Sequence, residues 1–282
     1  MSEPNRYLIA HSGVHIPKIL YGTAWKGERT ASLVAQALAQ GFRGLDTAGQ
    51  PKHYDEAGVG MGMAQALNSG LSRQDFFVQS KFTPMDGQDP RRLPYDPKAS
   101  LAEQVAQSFA NSLRNLQTDY LDSLVLHSPL PDRKEMLEVW QAMERIVDAG
   151  GARQLGISNI YQPDMLLDLY RMVRIKPAVV QNRFYAQTGY DREIRAFCHC
   201  QAILYQGFWT LTANPAILAH GTVQYLAETY QRTPAQIFYR YLTQIGLIPL
   251  IGTTSIRHMQ EDLAIFDFEL LETECGKLTC LL

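Results

Sequence analysis

The sequence predicts an α/β fold, a closed (β/α)8 TIM barrel preceded by a short N-terminal β-hairpin. Short apolar stretches alternate with amphipathic helical stretches along the whole chain. Behind the hairpin this alternation gives eight strands, each followed by a helix, within 282 residues. Strict alternation implies parallel strands joined by right-handed crossovers, and eight such units at this length close on themselves. A third observation disfavours the main competitor. No G-x-G-x-x-G follows the first strand, so the phosphate-binding turn of a doubly wound dinucleotide fold is missing.

Tyr7–Ile16 reads as two extended pieces around His11–Ser12–Gly13, a hairpin. Lys18–Tyr21 is the first barrel strand, ending at Gly22–Thr23, and Thr30–Gln40 is a helix with Leu33, Val34, Ala37 and Leu38 on one face. Phe42–Asp46 is the second strand, and Glu56–Asn68 a helix weakened by its glycines. Phe76–Lys81 is the third strand. A Pro- and Asp-rich loop, Pro84–Pro97, leads to the helix Leu101–Leu116, where Leu101, Val105, Phe109 and Leu113 are spaced four apart. Leu121–His127 is the fourth strand, and the helix Arg133–Ala149 is closed by Gly150–Gly151. Arg153–Ser158, Ala178–Gln181 and Ala202–Tyr205 are the next three strands. Between them lie the helices Pro163–Val173, with proline near its first turn, and Asp191–Cys198. A longer loop, Gln206–His220, precedes the helices Val223–Tyr230 and Pro234–Ile245. Leu247–Ile251 is the last strand, and Ile256–Ile265 and Leu271–Cys280 are the closing helices.

Composition narrows the function classes. The hydrophobic fraction of 46% suits a globular chain with a sizeable core. The net charge of −2 is spread along the chain without a basic run or an acidic tail, so nucleic acid is not an expected partner. The start, MSEPNRYLIA, lacks a basic-then-apolar leader pattern, and no apolar stretch is long enough to span a bilayer. The expectation is a cytoplasmic protein without a membrane partner. No linker or low-complexity segment divides the chain, so residues 1–282 are expected to form a single domain. Of the four cysteines, Cys198 and Cys200 flank His199. A structural zinc site usually needs two residues between paired cysteines and a second pair elsewhere. Neither is present, so no metal is expected and the cysteines read as reduced thiols.

A barrel of this kind carries its active site where the strands end. Asp46 closes the second strand and opens a loop that bears His53 and Tyr54 before the acidic helix start Asp55–Glu56. Asp at a strand end is often only a turn former or N-cap. The other ends supply Gly22, Thr23 and Trp25; Lys81; His127; Ser158 and Asn159; Gln181; Tyr205 and Gln206; and Gly252, Thr253, Thr254 and Ser255. A lone Lys in QSKF or a lone His in LVLHSP is more often structural. Together with an Asp and a Tyr on one rim, they point to a site.

The residues now match a family. LDTA…Y at Asp46–Tyr54, QSKF at Lys81, LQTDYLDSLVLHSP at Leu116–Pro129, GISN at Gly156–Asn159 and the closing IPLIGTTSIRHMQEDL together resemble the aldo-keto reductases across almost the whole length. The resemblance implies carbonyl reduction with NADPH, without a metal, on a small-molecule carbonyl substrate, by a monomer or small homo-oligomer. It implies a catalytic tetrad of Asp46, Tyr54, Lys81 and His127 and a substrate pocket formed by Trp25, Tyr54 and His127. It puts Ser158, Asn159 and Gln181 on the nicotinamide carboxamide and stacks Tyr205 on the nicotinamide ring. By residue type alone, Tyr205 reads as a core aromatic. The loop and helix start Gly252–Asp262 are implied to grip the adenosine 2′-phosphate, through Gly252, Thr253, Thr254, Ser255, His258, Glu261 and Asp262. Thr23, Asp46 and Gln206 complete the implied cofactor set. The alternative is a cofactor-binding regulatory or interaction subunit of the same fold.

The tetrad has a chemical reason. Hydride addition to a carbonyl builds an alkoxide that needs a proton, and a free phenol with pKa ~10 is a poor donor at neutral pH. Lys81 is expected to lower that pKa, Asp46 to hold Lys81 charged, and His127 to orient and polarise the carbonyl oxygen. The chain also departs from the family pattern. The Asp46–Tyr54 loop is longer than usual, QGFWTL at Gln206–Leu211 replaces Ser-Pro-Leu-Gly, and Thr254, Ser255, Arg257 and His258 stand where many members place a Lys and an Arg. The chain stops at Leu282, where many members continue into a loop over the substrate. The expected consequences are broad aldehyde and ketone use and a modest NADPH preference.

Overall fold

The structure is a computed structural model and describes residues 6–282. Residues 1–5, at the start of the stretch read for a leader, lie outside it. A hairpin, β1 (Tyr7–Ile9) and β2 (His15–Pro17), precedes the barrel. The barrel strands are β3 (Leu20–Gly22), β4 (Gly44–Asp46), β5 (Phe77–Phe82), β6 (Ser123–Leu126), β7 (Leu155–Ser158), β8 (Val179–Arg183), β9 (Leu204–Phe208) and β10 (Ile248–Ile251). All pair in parallel, and β10 closes the sheet between β9 and β3. The outer helices are α1 (Thr30–Gln40), α2 (Glu56–Asn68), α3 (Leu101–Leu116), α4 (Arg133–Asp148), α5 (Pro163–Met172), α6 (Arg192–Cys200), α7 (Pro215–Leu218), α8 (Gly221–Tyr230), α9 (Pro234–Gln244), α10 (Ile256–Leu263) and α11 (Glu272–Thr279). The short α7 interrupts the stretch expected to be loop. No helix among the described residues is long and apolar enough to cross a membrane.

Local chemistry places these boundaries. Asp55 caps α2 by accepting from the Gly58 N–H, and Ser100 with Glu103 forms a capping box on α3. Gly41, at φ +115°, ends α1 in the left-handed conformation. The α2 glycines, which weaken it as an isolated helix, serve packing. A Cβ on Gly60 would collide with the Asn115 carbonyl, and one on Gly62 would press on Val34. These glycines let α2 lie close to α1 and α3.

Strand periodicity decides what reaches the barrel axis. Leu20, Phe77, Val125, Val179, Ile248 and Leu250 fill the lower interior, with Ala10, Val14 and Ile16 of the hairpin region packed against them. The intervening positions, Tyr21, Leu45, Val78, Leu124, Leu126, Ile157, Val180 and Tyr205, belong to the layer between strands and helices. Two residues above Phe77 stands Gln79, and two above that Lys81. The same step along β8 runs from Val179 through Gln181 to Arg183. This alternation turns a greasy plug at the bottom into a polar floor at the top.

Candidate active site

The floor is a closed polar network. Lys81 on β5 donates to Asp46 Oδ2 at 2.6 Å and to the Thr47 carbonyl at 2.8 Å. Asp46 Oδ1 accepts from the Nε2 groups of Gln79, at 2.7 Å, and Gln181, at 2.9 Å. The same two amides donate to Gln206 Oε1. Lys81 is 1% and Asp46 2% exposed, and at such depth a charge persists only when paired and hydrogen-bonded. Burial lowers the Lys81 pKa, while Asp46 opposes that shift. Behind Lys81, the buried carboxylate of Glu56 accepts from Ser80 at 2.5 Å and Ser112 at 3.0 Å.

Tyr54 and His127 stand over this floor. The Lys81 ammonium is 5.3 Å from the centroid of the Tyr54 ring. The His127 ring meets Tyr54 edge-on, with centroids 5.8 Å apart and planes at 70°. Nδ1 of His127 is held 2.7 Å from the hydroxyl of the buried Thr83, so Nε2 is the nitrogen left to meet a ligand. Burial, then Lys81 and His53, hold the His127 pKa well below 6.5, so its ring is neutral. Burial pushes the Tyr54 phenol above its ordinary value, and the Asp46 carboxylate adds to this. The expected lowering by Lys81 is therefore corrected. Asp46 sits 2.6 Å from the ammonium and opposes its effect on the phenol, while desolvation penalises a phenolate. His53, the other candidate in this loop, shares the cavity wall and packs on Trp25 with ring centroids 3.7 Å apart and planes tilted by 33°.

Above the network opens a cavity of about 780 Å³, within the range of sites that enclose small ligands. Its walls include Trp25, Asp46, Tyr54, His127, Ser158, Asn159, Gln181, Gly252, Thr253, His258, Glu261 and Asp262. Five expected cofactor residues are absent from the walls. Thr23 is fully buried and spends its hydroxyl on the Asp46 carbonyl at 2.9 Å. Gln206 faces the axis but lies in the network beneath. Ser255 caps α10, its hydroxyl accepting from the His258 N–H, and Thr254 beside it is not on the wall. Tyr205 is the clearest correction. It points outward and donates to Asp191 at 2.9 Å, so it cannot stack on a nicotinamide in the barrel mouth. The seventh barrel strand is Leu204–Phe208, not Ala202–Tyr205, so its upper inward positions are Gln206 and Phe208.

Other cavity residues escaped the sequence reading. Lys26 lines the wall and donates to the Gly252 carbonyl, bridging the mouth from the β3 end to the β10 end. Arg183, Phe208 and Trp209 also line it. Stepping by two from Lys81 and Gln181 would have found Gln79 and Arg183. No local signal marks Thr83 as the partner of His127. Around α10, the expected cation Arg257 is turned away: its guanidinium pairs with Glu261 at 2.7 Å and is 80% exposed. Burial and Glu261 push the Asp262 carboxyl up to about 7.

Known proteins share this fold and sequence pattern. The sequence profile described as "Aldo/keto reductase family" matches residues 18–281. The Bacillus subtilis (strain 168) oxidoreductase YtbE is 30% identical over 274 residues, covering 96% of this chain and 91% of its own. The glyoxal reductase of the same organism is 29% identical over 273 residues, with the same coverage of 96% and 91%. Among solved structures, an aldo/keto reductase from Brucella melitensis superposes with a TM-score of 0.82 at 27% identity, covering 98% of both chains. An aldo-keto reductase from Bombyx mori in complex with NADP gives 0.82 at 25% identity, covering 97% of this chain and 92% of its own. On this match, spanning the barrel and the site at its mouth, the chain belongs to the aldo/keto reductase family and is an oxidoreductase.

Proposed function

We propose that this protein reduces aldehydes and ketones to alcohols with NADPH, Tyr54 acting as the general acid. The observation that carries the reading is the convergence of a buried phenol, a neutral imidazole and a lysine–aspartate pair at the base of one cavity. When bound, a reduced nicotinamide supplies hydride to the carbonyl carbon. The chain's residues handle the oxygen. His127 presents Nε2–H to it, in the tautomer in which Nδ1 accepts from the Thr83 hydroxyl. Tyr54, with its pKa raised by burial, is fully protonated at neutral pH and gives its proton as negative charge develops on that oxygen. Lys81 then faces the phenolate left behind, and Asp46 with its two amide donors keeps Lys81 in place. Ser158, Asn159 and Gln181 line the wall beside His127; the Ser158 hydroxyl and the Asn159 and Gln181 amide groups already donate within the protein, so these residues would meet a carboxamide through their oxygens.

The cavity suits a dinucleotide. Its wall runs from Tyr54 to the first turn of α10, where N–H groups and a positive dipole end favour phosphate. The cation at that end is Lys26, beside the His258 imidazole, and the carboxylates Glu261 and Asp262 oppose it. NADPH should therefore be favoured over NADH by a modest factor. The relative from Bombyx mori, solved with NADP, supports the choice of cofactor class. The test is loss of NADPH absorbance with a panel of aldehydes and small ketones. Cofactor binding with no turnover on any of them would favour a regulatory subunit instead.

A further inference from the structure

Arg183 is the last residue of β8 and faces the cavity. Its guanidinium lies 4.2 Å from the centroid of the Trp209 ring and 5.3 Å from that of Tyr185. Among the described residues it takes part in no ion pair, and its buried Nε has no hydrogen-bond partner. A buried N–H donor without a partner is costly, and this arginine stands on the cavity wall without a carboxylate, whereas Lys81 in the floor is paired with Asp46 and Lys26 donates to the Gly252 carbonyl. The arrangement is rigidly built. The Arg183 backbone N–H donates to the Tyr161 hydroxyl at 3.1 Å, that hydroxyl donates to Asn159 Oδ1 at 3.2 Å, and Asn159 donates to the His127 carbonyl at 2.8 Å. Trp209 holds φ at +58°, a conformation that a bulky residue keeps only where its surroundings enforce it. The result is a planar fork of donors lying over the Trp209 and Tyr185 rings at the cavity wall.

We propose that Arg183 is the anion receptor of this cavity. Its guanidinium takes an oxyanion, carried either by the cofactor's pyrophosphate or by a carboxylate on the carbonyl substrate. The planar fork matches both groups and binds them bidentately. The first source rests on the proposed cofactor and the second on the proposed reduction.

Two measurements on the full chain separate the sources. One is the Kd of NADPH, titrated by quenching of tryptophan fluorescence. The other is the ratio of kcat/KM for 4-carboxybenzaldehyde to that for 4-nitrobenzaldehyde. Loss of a charge-assisted pair should weaken one of the two by about tenfold or more in Arg183→Met. Arg183→Gln serves as a second neutral variant, and a thermal melt reports whether each is folded. Arg183→Lys should recover only part of the loss, because an ammonium keeps the charge without the fork. A fall in NADPH affinity assigns the oxyanion to the cofactor, and a fall in the aldehyde ratio assigns it to the substrate. Values within about twofold of wild type for both, in folded neutral variants, would overturn the proposal. So would a wild type that binds neither NADPH nor the carboxylated aldehyde. A wild type that binds NADPH but reduces neither aldehyde would remove the reductase reading and leave the titration to decide Arg183.

Discussion

Tyr54→Phe removes one oxygen atom from the proposed site and little else. The phenyl ring keeps its edge-on contact with His127 at 5.8 Å and its place 5.3 Å from the Lys81 ammonium. Packing is therefore retained, and the melting temperature should change by no more than a few degrees. A positioned general acid contributes ~10²–10⁴-fold, which corresponds to about 2.7–5.5 kcal/mol of barrier. The Lys81–Asp46 pair is untouched, so no buried charge is exposed and the loss reports the proton alone. The assay is single-turnover decay of NADPH absorbance with a neutral aldehyde, paired with a cofactor titration. The expected result is a kcat/KM lower by that factor with NADPH affinity nearly unchanged. The wild-type pH profile provides a second check. A raised pKa keeps the proton-donating form populated below it, so reduction stays flat through neutrality and past the ordinary phenol value of ~10. A Tyr54→Phe rate within about threefold of wild type would refute the assignment, and His53, stacked on Trp25 at the cavity wall, would be tested next.

Three further outcomes follow from the same geometry. Thr83→Val removes the partner of His127 Nδ1; losing ~1 kcal/mol of orientation should lower kcat about fivefold with cofactor affinity kept, and an unchanged kcat would show that the ring is held by packing alone. His127 stays neutral when folded but binds a proton when unfolded below ~6.5. Its contribution is complete above that pH and is lost on acidification by up to about 1.4 kcal/mol per pH unit. His127→Gln should remove that slope from urea midpoints measured against pH, and an identical slope would contradict it. Asp262, with its carboxyl at about 7, is charged above neutrality and mostly neutral well below it. Asp262→Asn should therefore tighten NADPH relative to NADH by a few-fold in alkaline buffer and hardly at all in acid. The same gain at both pH values would remove the carboxylate charge as its cause.

Much of the fold was readable from the chain because barrel units repeat a local pattern. Period-two apolar runs, helical faces and caps such as Asp55 and Ser100 depend on neighbours a few residues away. Asp46, Lys81 and His127 were readable as candidates because each interrupts an apolar strand with a charge or an imidazole near its upper end. Register was not readable. The seventh strand lies two to three residues further along than its composition suggested. With a side-chain period of two, its inward-facing upper positions are Gln206 and Phe208, while Tyr205 packs outside. The partnership of Thr83 with His127 and the placement of Arg183 over the Trp209 ring join residues from different strands and loops. So does the exchange of amides among Gln79, Gln181 and Gln206. Such contacts form only when the sheet closes, because closure sets the height of each side chain above the hydrophobic plug and the direction in which it points.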